Sequence, residues 1–202
     1  MDVGSIAIRA IIYSDFIDNC IVLSYNNGMS SLMIDIETIG VAPAATILTI
    51  AAQSFDPLGS GYYKQHYYAR INLDSQENRT IDESTLNWWA TQPAVARDEA
   101  FAEDNRVPLD QALDELGKLI WTSNFLWCQG PTFDCTILEH AYKSYGKPIP
   151  WQYFRVRDSR SICSLWPGRP NPPTSHHALE DCRKQIAIVQ ATLKHLNVTE
   201  LS

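Results

Sequence analysis

The stretch "MIDIETIG", Met33 to Gly40, sets two carboxylates, Asp35 and Glu37, inside an otherwise apolar run. The run reads as a β-strand. Alternate residues of a strand face the same side, so Asp35 and Glu37 share one face. Neither acid is a helix cap, because both lie among Met33, Ile34 and Ile36. Two negative charges on so hydrophobic a strand are costly unless something neutralises them.

Outward from this strand, "ATILTIAAQSF" (Ala45 to Phe55) and "YYKQHYYARI" (Tyr62 to Ile71) read as two more strands. The turn signal from Pro57 to Gly61 makes them a hairpin. From Thr80 the pattern becomes helical. "TIDESTLNWWATQ", with Asp82 and Glu83 suited to a helix start, and "PAVARDEAFA" predict two short helices. "PLDQALDELGKLIW" places Leu109, Leu113, Leu116 and Ile120 on one helical face, with Pro108 at its first turn. A short strand over Phe125 to Gln129, a break at Gly130-Pro131 and a helix from about Asp134 to Tyr145 follow. A short strand and helix come next, then a proline-rich loop, "PGRPNPPT", and a last helix from about Ala178 to Leu196 with Ile186, Val189 and Leu193 inward. This order predicts an α/β mixed sheet, antiparallel in its first three strands and parallel thereafter, flanked by helices. Residues 29–202 form one domain without internal repeats. Residues 1–28 fit the plan poorly; "CIVLSY" supplies an edge strand or part of a loose extension, and Met29 is a credible alternative start.

The chain has 202 residues, of which 45% are hydrophobic and 19% charged, as in an ordinary globular domain. A net charge of -7 argues against indiscriminate binding to polyanions. Between Lys143 and Arg169, however, six basic residues (Lys143, Lys147, Arg155, Arg157, Arg160, Arg169) face the single acid Asp158. Alone, that window reads as a solvated surface. The five cysteines include no CxxC pair, which predicts reduced core thiols rather than zinc or disulfides. No apolar run is long enough to span a membrane, and the N-terminus, with Asp2, Asp15 and Asp18, lacks the pattern of an export signal. A cytoplasmic protein without membrane contact is expected.

Two further acids stand in telling places. "WCQGPTFDCTIL" puts Asp134 after a strand–glycine turn, and "SHHALEDCRKQ" puts Asp181 five residues after His176. Each has a bland reading by itself: Asp134 as a helix cap, Asp181 as a surface acid, His176 or His177 as a loop histidine. Together with Asp35 and Glu37 they suit hard divalent cations, Mg²⁺ or Mn²⁺, which take oxygen ligands. Two such ions stabilise the attacking and leaving oxygens of a phosphodiester, and a histidine near neutrality accepts the proton of the attacking water.

The motifs "DIET" with Gly40, "GPTFD" and "HHALED" resemble the three exonuclease motifs of the DEDDh superfamily, which includes proofreading exonucleases, ribonuclease T and oligoribonuclease on a ribonuclease H-like fold. The likeness extends to a phage and bacterial exonuclease VIII-like, exoribonuclease-like branch through "LMIDIET", "ILTIAAQSFDP", "TLNWWATQPAVAR" and "RDSRSI", and covers roughly residues 30 to 195. It implies a metal-dependent 3′-5′ exonuclease that releases nucleoside 5′-monophosphates from single-stranded DNA or RNA ends. By the resemblance, Asp35, Glu37, Asp134 and Asp181 bind two Mg²⁺ or Mn²⁺ ions, with Asp134 acting through water, and His176 is the general base. The five-residue offset to Asp181 favours His176 over His177, which stands where the branch carries Asn. Some members are dimers, so the resemblance allows a homodimer. The alternative is a catalytically silent nucleic-acid-binding protein on the same fold.

The remaining candidates touch substrate. Thr38 and Ile39 follow the acidic pair and are placed to meet the 3′ nucleotide through their backbone. Trp88 and Trp89 point about 100° apart on a helix, so one packs inward and the other is placed to stack on a terminal base. Core or interface packing of both is the favoured account. Arg157, Arg160 and the rest of the basic window then become holders of phosphates. Asp158 is expected to cap the helix at Ser159 rather than bind metal.

Overall fold

The computed structural model describes residues 30–201, so the expected extension, its "CIVLSY" strand and the Met29 start lie outside the described residues. Six strands form one sheet in the order β4-β3-β2-β1-β5-β6. They are β1 (Ser31–Thr38), β2 (Ile47–Phe55), β3 (His66–Ile71), β4 (Arg106–Val107), β5 (Phe125–Cys128) and β6 (Val156–Asp158). β1, β2 and β3 pair antiparallel, and β5 and β6 add in parallel beyond β1, as the sequence predicts. The fold is a ribonuclease H-like α/β sheet. The two-residue β4, parallel to β3, is too short to leave a periodic signal.

Six helices surround it: α1 (Glu83–Thr91), α2 (Ala94–Phe101), α3 (Leu109–Trp121), α4 (Asp134–Ser144), α5 (Ser159–Ser164) and α6 (Ala178–His195). Alternation along β1 divides the core. Leu32, Ile34 and Ile36 pack with Leu109, Leu113 and Leu116 of α3 and Ile137, Leu138 and Ala141 of α4. Met33 turns to the other face, against Cys182, Ile186 and Val189 of α6. A third cluster joins Ile39 and Leu48 to Trp89, Ala96 and Ala100 of α1 and α2. The four described cysteines are buried and unbridged. No helix among the described residues is long and apolar enough to cross a membrane.

The pattern predicts β3 from Tyr62, whereas the ladder starts at His66. Before His66 the pairing is irregular: Ser54 exchanges backbone bonds with Tyr63 (2.8 Å) and Gln65 (3.0 Å), and the Gln53 side-chain amide donates to the carbonyls of the same two residues (2.8 and 3.0 Å).

Two local features aim the site. A register shift between Glu37 and Thr38 bends the end of β1, where bulges often re-direct side chains. After β5, Gly130 adopts φ +113°, and the Phe133 amide donates to its carbonyl, which swings the chain into α4 with Asp134 at its first residue. An L-residue at that φ is strained. Gly130→Ala is therefore expected to cost about 1–2 kcal/mol in urea unfolding; an unchanged midpoint would show that the turn does not depend on glycine.

Candidate active site

β1 is a central strand, hydrogen-bonded to β2 on one side and β5 on the other, so its acids cannot swing outward with the backbone. Asp35 and Glu37 continue the face that begins with Met33, and Ala51 opposite Asp35 leaves room beside it. α6 packs on this face and brings Asp181 alongside. One carboxylate oxygen each from Asp35, Glu37 and Asp181 lie within 4.8 Å of one another. Asp134 stands apart from this trio: its Oδ1 accepts from the Ile36 amide at 3.3 Å. It therefore buttresses the strand segment between the two acids.

The electrostatics follow from burial and crowding. Burial, with Asp134 and Glu37 beside it, holds Asp35 well above the ordinary carboxylate range. Glu37 is pushed up to about 8 by burial and then by Asp181 and Asp134. Burial raises Asp134 to about 7, against amide hydrogen bonds and the nearby Arg160 guanidinium. Asp181 moves the other way. Burial raises it, but donors outweigh burial: Thr174 Oγ1 (2.6 Å), the Ser175 amide and hydroxyl (2.9 Å each), the His176 amide (2.8 Å) and Lys184 Nζ (3.2 Å).

The two histidines part company here. His176 takes the left-handed backbone φ of +54°, and its ring packs at 4.9 Å from Trp88 and 5.9 Å from Trp89. Burial lowers its pKa below the usual value, with Asp181 opposing and Lys184 assisting. His177 instead stacks on Tyr68 at 4.9 Å. The Tyr68 hydroxyl donates to Glu99, and Arg70 Nη2 holds that carboxylate at 2.8 Å. His177 Nε2 lies 3.9 Å from Glu99, so this residue fastens the start of α6 to β3 and α2.

Beside Glu37 opens a cleft of about 420 Å³ lined by Ile36, Glu37, Thr38, Gly40, Val41, Ser84, Thr85, Trp88 and Phe133. Trp88, 42% exposed, lines it, whereas Trp89 is 2% exposed and donates from Nε1 to the Thr38 carbonyl at 2.9 Å. As the divergence of adjacent helical positions predicts, one tryptophan packs inward, and the other stands at the cleft. Ile39 does not line the cleft. Its side chain is buried against Trp89 and Leu48, its amide donates to Thr46 and its carbonyl accepts from Asp82.

The basic residues also separate. Arg160 lies over Gly130, near Asp134. Arg157 stacks its guanidinium 4.3 Å over Phe125 and donates to the carbonyls of Phe154 and Val156. Lys143 pairs with Glu139 one helical turn away, and Lys147 pairs with Asp114 of α3. Lys143, Lys147 and Arg157 thus face acids and carbonyls on different elements, whereas Arg160 stands beside Asp134. Asp158 caps α5 by accepting from the Arg160 amide at 3.0 Å.

Three residues escaped the sequence reading: Gln185, whose Nε2 donates to Asp35 Oδ1 at 2.8 Å, Lys184, and Tyr68 beneath His177. Their one available signal was position, Lys184 and Gln185 lying one helical turn beyond Asp181. The donor set suits a hard divalent cation: three carboxylates converge, and Gln185 Oε1 is buried with no hydrogen-bond partner among the described residues.

Residues 30–193 match the 3′-5′ exoribonuclease Rv2179c-like domain family. An exodeoxyribonuclease of enterobacteria phage T4 is 24% identical over 207 aligned positions, covering 83% of this chain and 90% of the phage protein. Among solved structures, E. coli exonuclease I in its zinc-bound complex with single-stranded DNA superposes with a TM-score of 0.61 at 14% identity, over 85% of this chain and 42% of that one. Exonuclease I of Methylocaldum szegediense gives 0.63 at 13% identity, over 84% and 41%. The chain thus spans about two fifths of the exonuclease I structures it superposes on, and these share its fold.

The raised acids set a pH dependence. A carboxyl whose folded pKa exceeds its unfolded value supports the fold when protonated, and that support is lost as pH rises through the folded value. For Glu37 the window runs from 4.5 to about 8. Asp181, held low, acts oppositely, withdrawing support only as pH falls below the ordinary range near 3.8. In chelator, the thermal midpoint should fall between about pH 5 and pH 8, and Mn²⁺ at pH 8 should raise it again. A flat profile in scanning fluorimetry would refute the crowding of these acids.

Proposed function

Because this chain belongs to the 3′-5′ exoribonuclease Rv2179c-like domain family, we propose that its acidic cleft hydrolyses phosphodiesters at the 3′ ends of single-stranded nucleic acid and releases nucleoside 5′-monophosphates. The observation that carries the reading is the convergence of Asp35, Glu37 and Asp181, with Glu37 lining a cleft large enough for a nucleotide. Asp35, Glu37 and Asp181 would hold two Mg²⁺ or Mn²⁺ ions, with Asp134, bonded to the Ile36 amide, supporting the strand between the two acids. Such ions, when bound, neutralise the phosphodiester and lower the pKa of water.

The chain's own residues do the rest. His176 takes the proton from the attacking water. Its lowered pKa keeps the imidazole neutral at pH 7, the form that accepts a proton. Tyr68, Glu99 and Arg70 hold His177 and so the backbone from which His176 projects. Trp88, exposed at the cleft, offers its ring to the terminal base, and Thr38 borders the same space. Arg160, next to Asp134, is the arginine placed to meet a phosphate. Arg157 is held on Phe125 and acts in the fold of β6.

A time course on 3′- and 5′-labelled DNA and RNA oligonucleotides, single- and double-stranded, in Mg²⁺, Mn²⁺ or chelator tests the reading and fixes the sugar. Stepwise shortening from the 3′ end is expected, with circular single strands left intact. Asp35→Ala should abolish hydrolysis and leave the metal-free fold intact or slightly stabilised, since it removes charge repulsion. Full activity in that variant, or in excess chelator, would sink the mechanism. His176→Gln should lower kcat by roughly 10²- to 10⁴-fold with little change in Mn²⁺ affinity. Equal kcat in variant and wild type would remove His176 from the chemistry.

A further inference from the structure

Lys184 stands one helical turn beyond Asp181 on α6. Its Nζ donates to Asp181 Oδ1 at 3.2 Å and to the Pro173 carbonyl at 3.1 Å. It therefore bridges the acid and the loop that leads into His176. The side chain is 33% exposed, so it can leave this position for water without unfolding the helix. Asp35, Glu37 and Asp134 have no lysine or arginine in an ion pair with them among the described residues. The ammonium thus sits on the acid of the converging trio that α6 contributes, within reach of the space a divalent cation would use.

We propose that Lys184 is a built-in counter-cation that competes with the divalent ion for Asp181 and so sets the metal affinity of the site. The inference rests on the metal-binding reading given above. The other donors to Asp181 come from Thr174, Ser175 and His176 and carry no net charge, so they orient the carboxylate without neutralising it. Lys184 alone among its partners brings a positive charge. Occupation of Asp181 by a divalent ion sets two positive charges near the ammonium, which then gives up this contact. The penalty of that release weakens metal binding, and the ammonium is left at the edge of the acidic cleft.

Isothermal titration of the purified protein with Mn²⁺ tests this. Lys184→Met should bind Mn²⁺ about three- to tenfold more tightly than wild type, and Lys184→Gln should follow it. Lys184→Arg, which keeps the charge, should match wild type within about twofold. Neutral variants that bind with wild-type or weaker affinity would overturn the inference. Wild-type protein that takes up no Mn²⁺ would overturn both this inference and the metal reading beneath it. Wild type that binds while the neutral variants show no gain would overturn this inference alone. Circular dichroism confirms that each variant titrated is folded, and two neutral substitutions keep the comparison available if one is not.

Discussion

Everything in this molecule is arranged around carboxylates that cannot leave the core. β1 is pinned on both edges by hydrogen-bonded neighbours, and its side chains before Asp35 are wholly buried. Asp35 and Glu37 therefore meet Asp181 in a space where water is scarce and like charges repel. The surroundings answer with dipoles more than with cations. Gln185 turns its amide to Asp35, the Ile36 amide to Asp134, and the loop before α6 closes its donors over Asp181. The carboxylates are thus oriented but only partly balanced, a donor set that suits a hard divalent cation.

That constraint also explains the shape of the loop carrying the histidines. To place two backbone amides on Asp181 within two residues, the chain turns sharply, and His176 takes a left-handed conformation uncommon for a residue with a Cβ. The turn sends successive rings apart. His176 meets the tryptophans at the cleft, while His177 meets Tyr68 and the Glu99–Arg70 pair on the sheet. One ring packs on the tryptophan pair and its neighbour fixes the loop. A strained backbone at such a position persists because the surrounding contacts over-determine it.

The tryptophan pair follows the same logic on α1. Trp89 is anchored by its bond to the Thr38 carbonyl and fills the cluster under α1 and α2. That anchor ties α1, one wall of the cleft, to the residue following Glu37. Trp88 is then the ring left at the opening, alongside Val41 and Phe133.

The antiparallel first three strands, the parallel strands after them, the helix positions and the acids are legible in short-range patterns. Alternation along Leu32 to Glu37, the glycine turn before Asp134 and the five-residue step from His176 to Asp181 each need only neighbouring residues to be read. What each of two neighbours meets depends on where the facing element lies: Trp88 and Thr38 line the cleft while Trp89 and Ile39 are buried, and His176 packs on the tryptophans while His177 stacks on Tyr68. The partners are remote: Gln185 reaches Asp35 across 150 positions, and His177 meets a tyrosine of β3. A linear pattern fixes the direction of a side chain relative to its own backbone. What that side chain meets is set by packing between elements, and no local period records it.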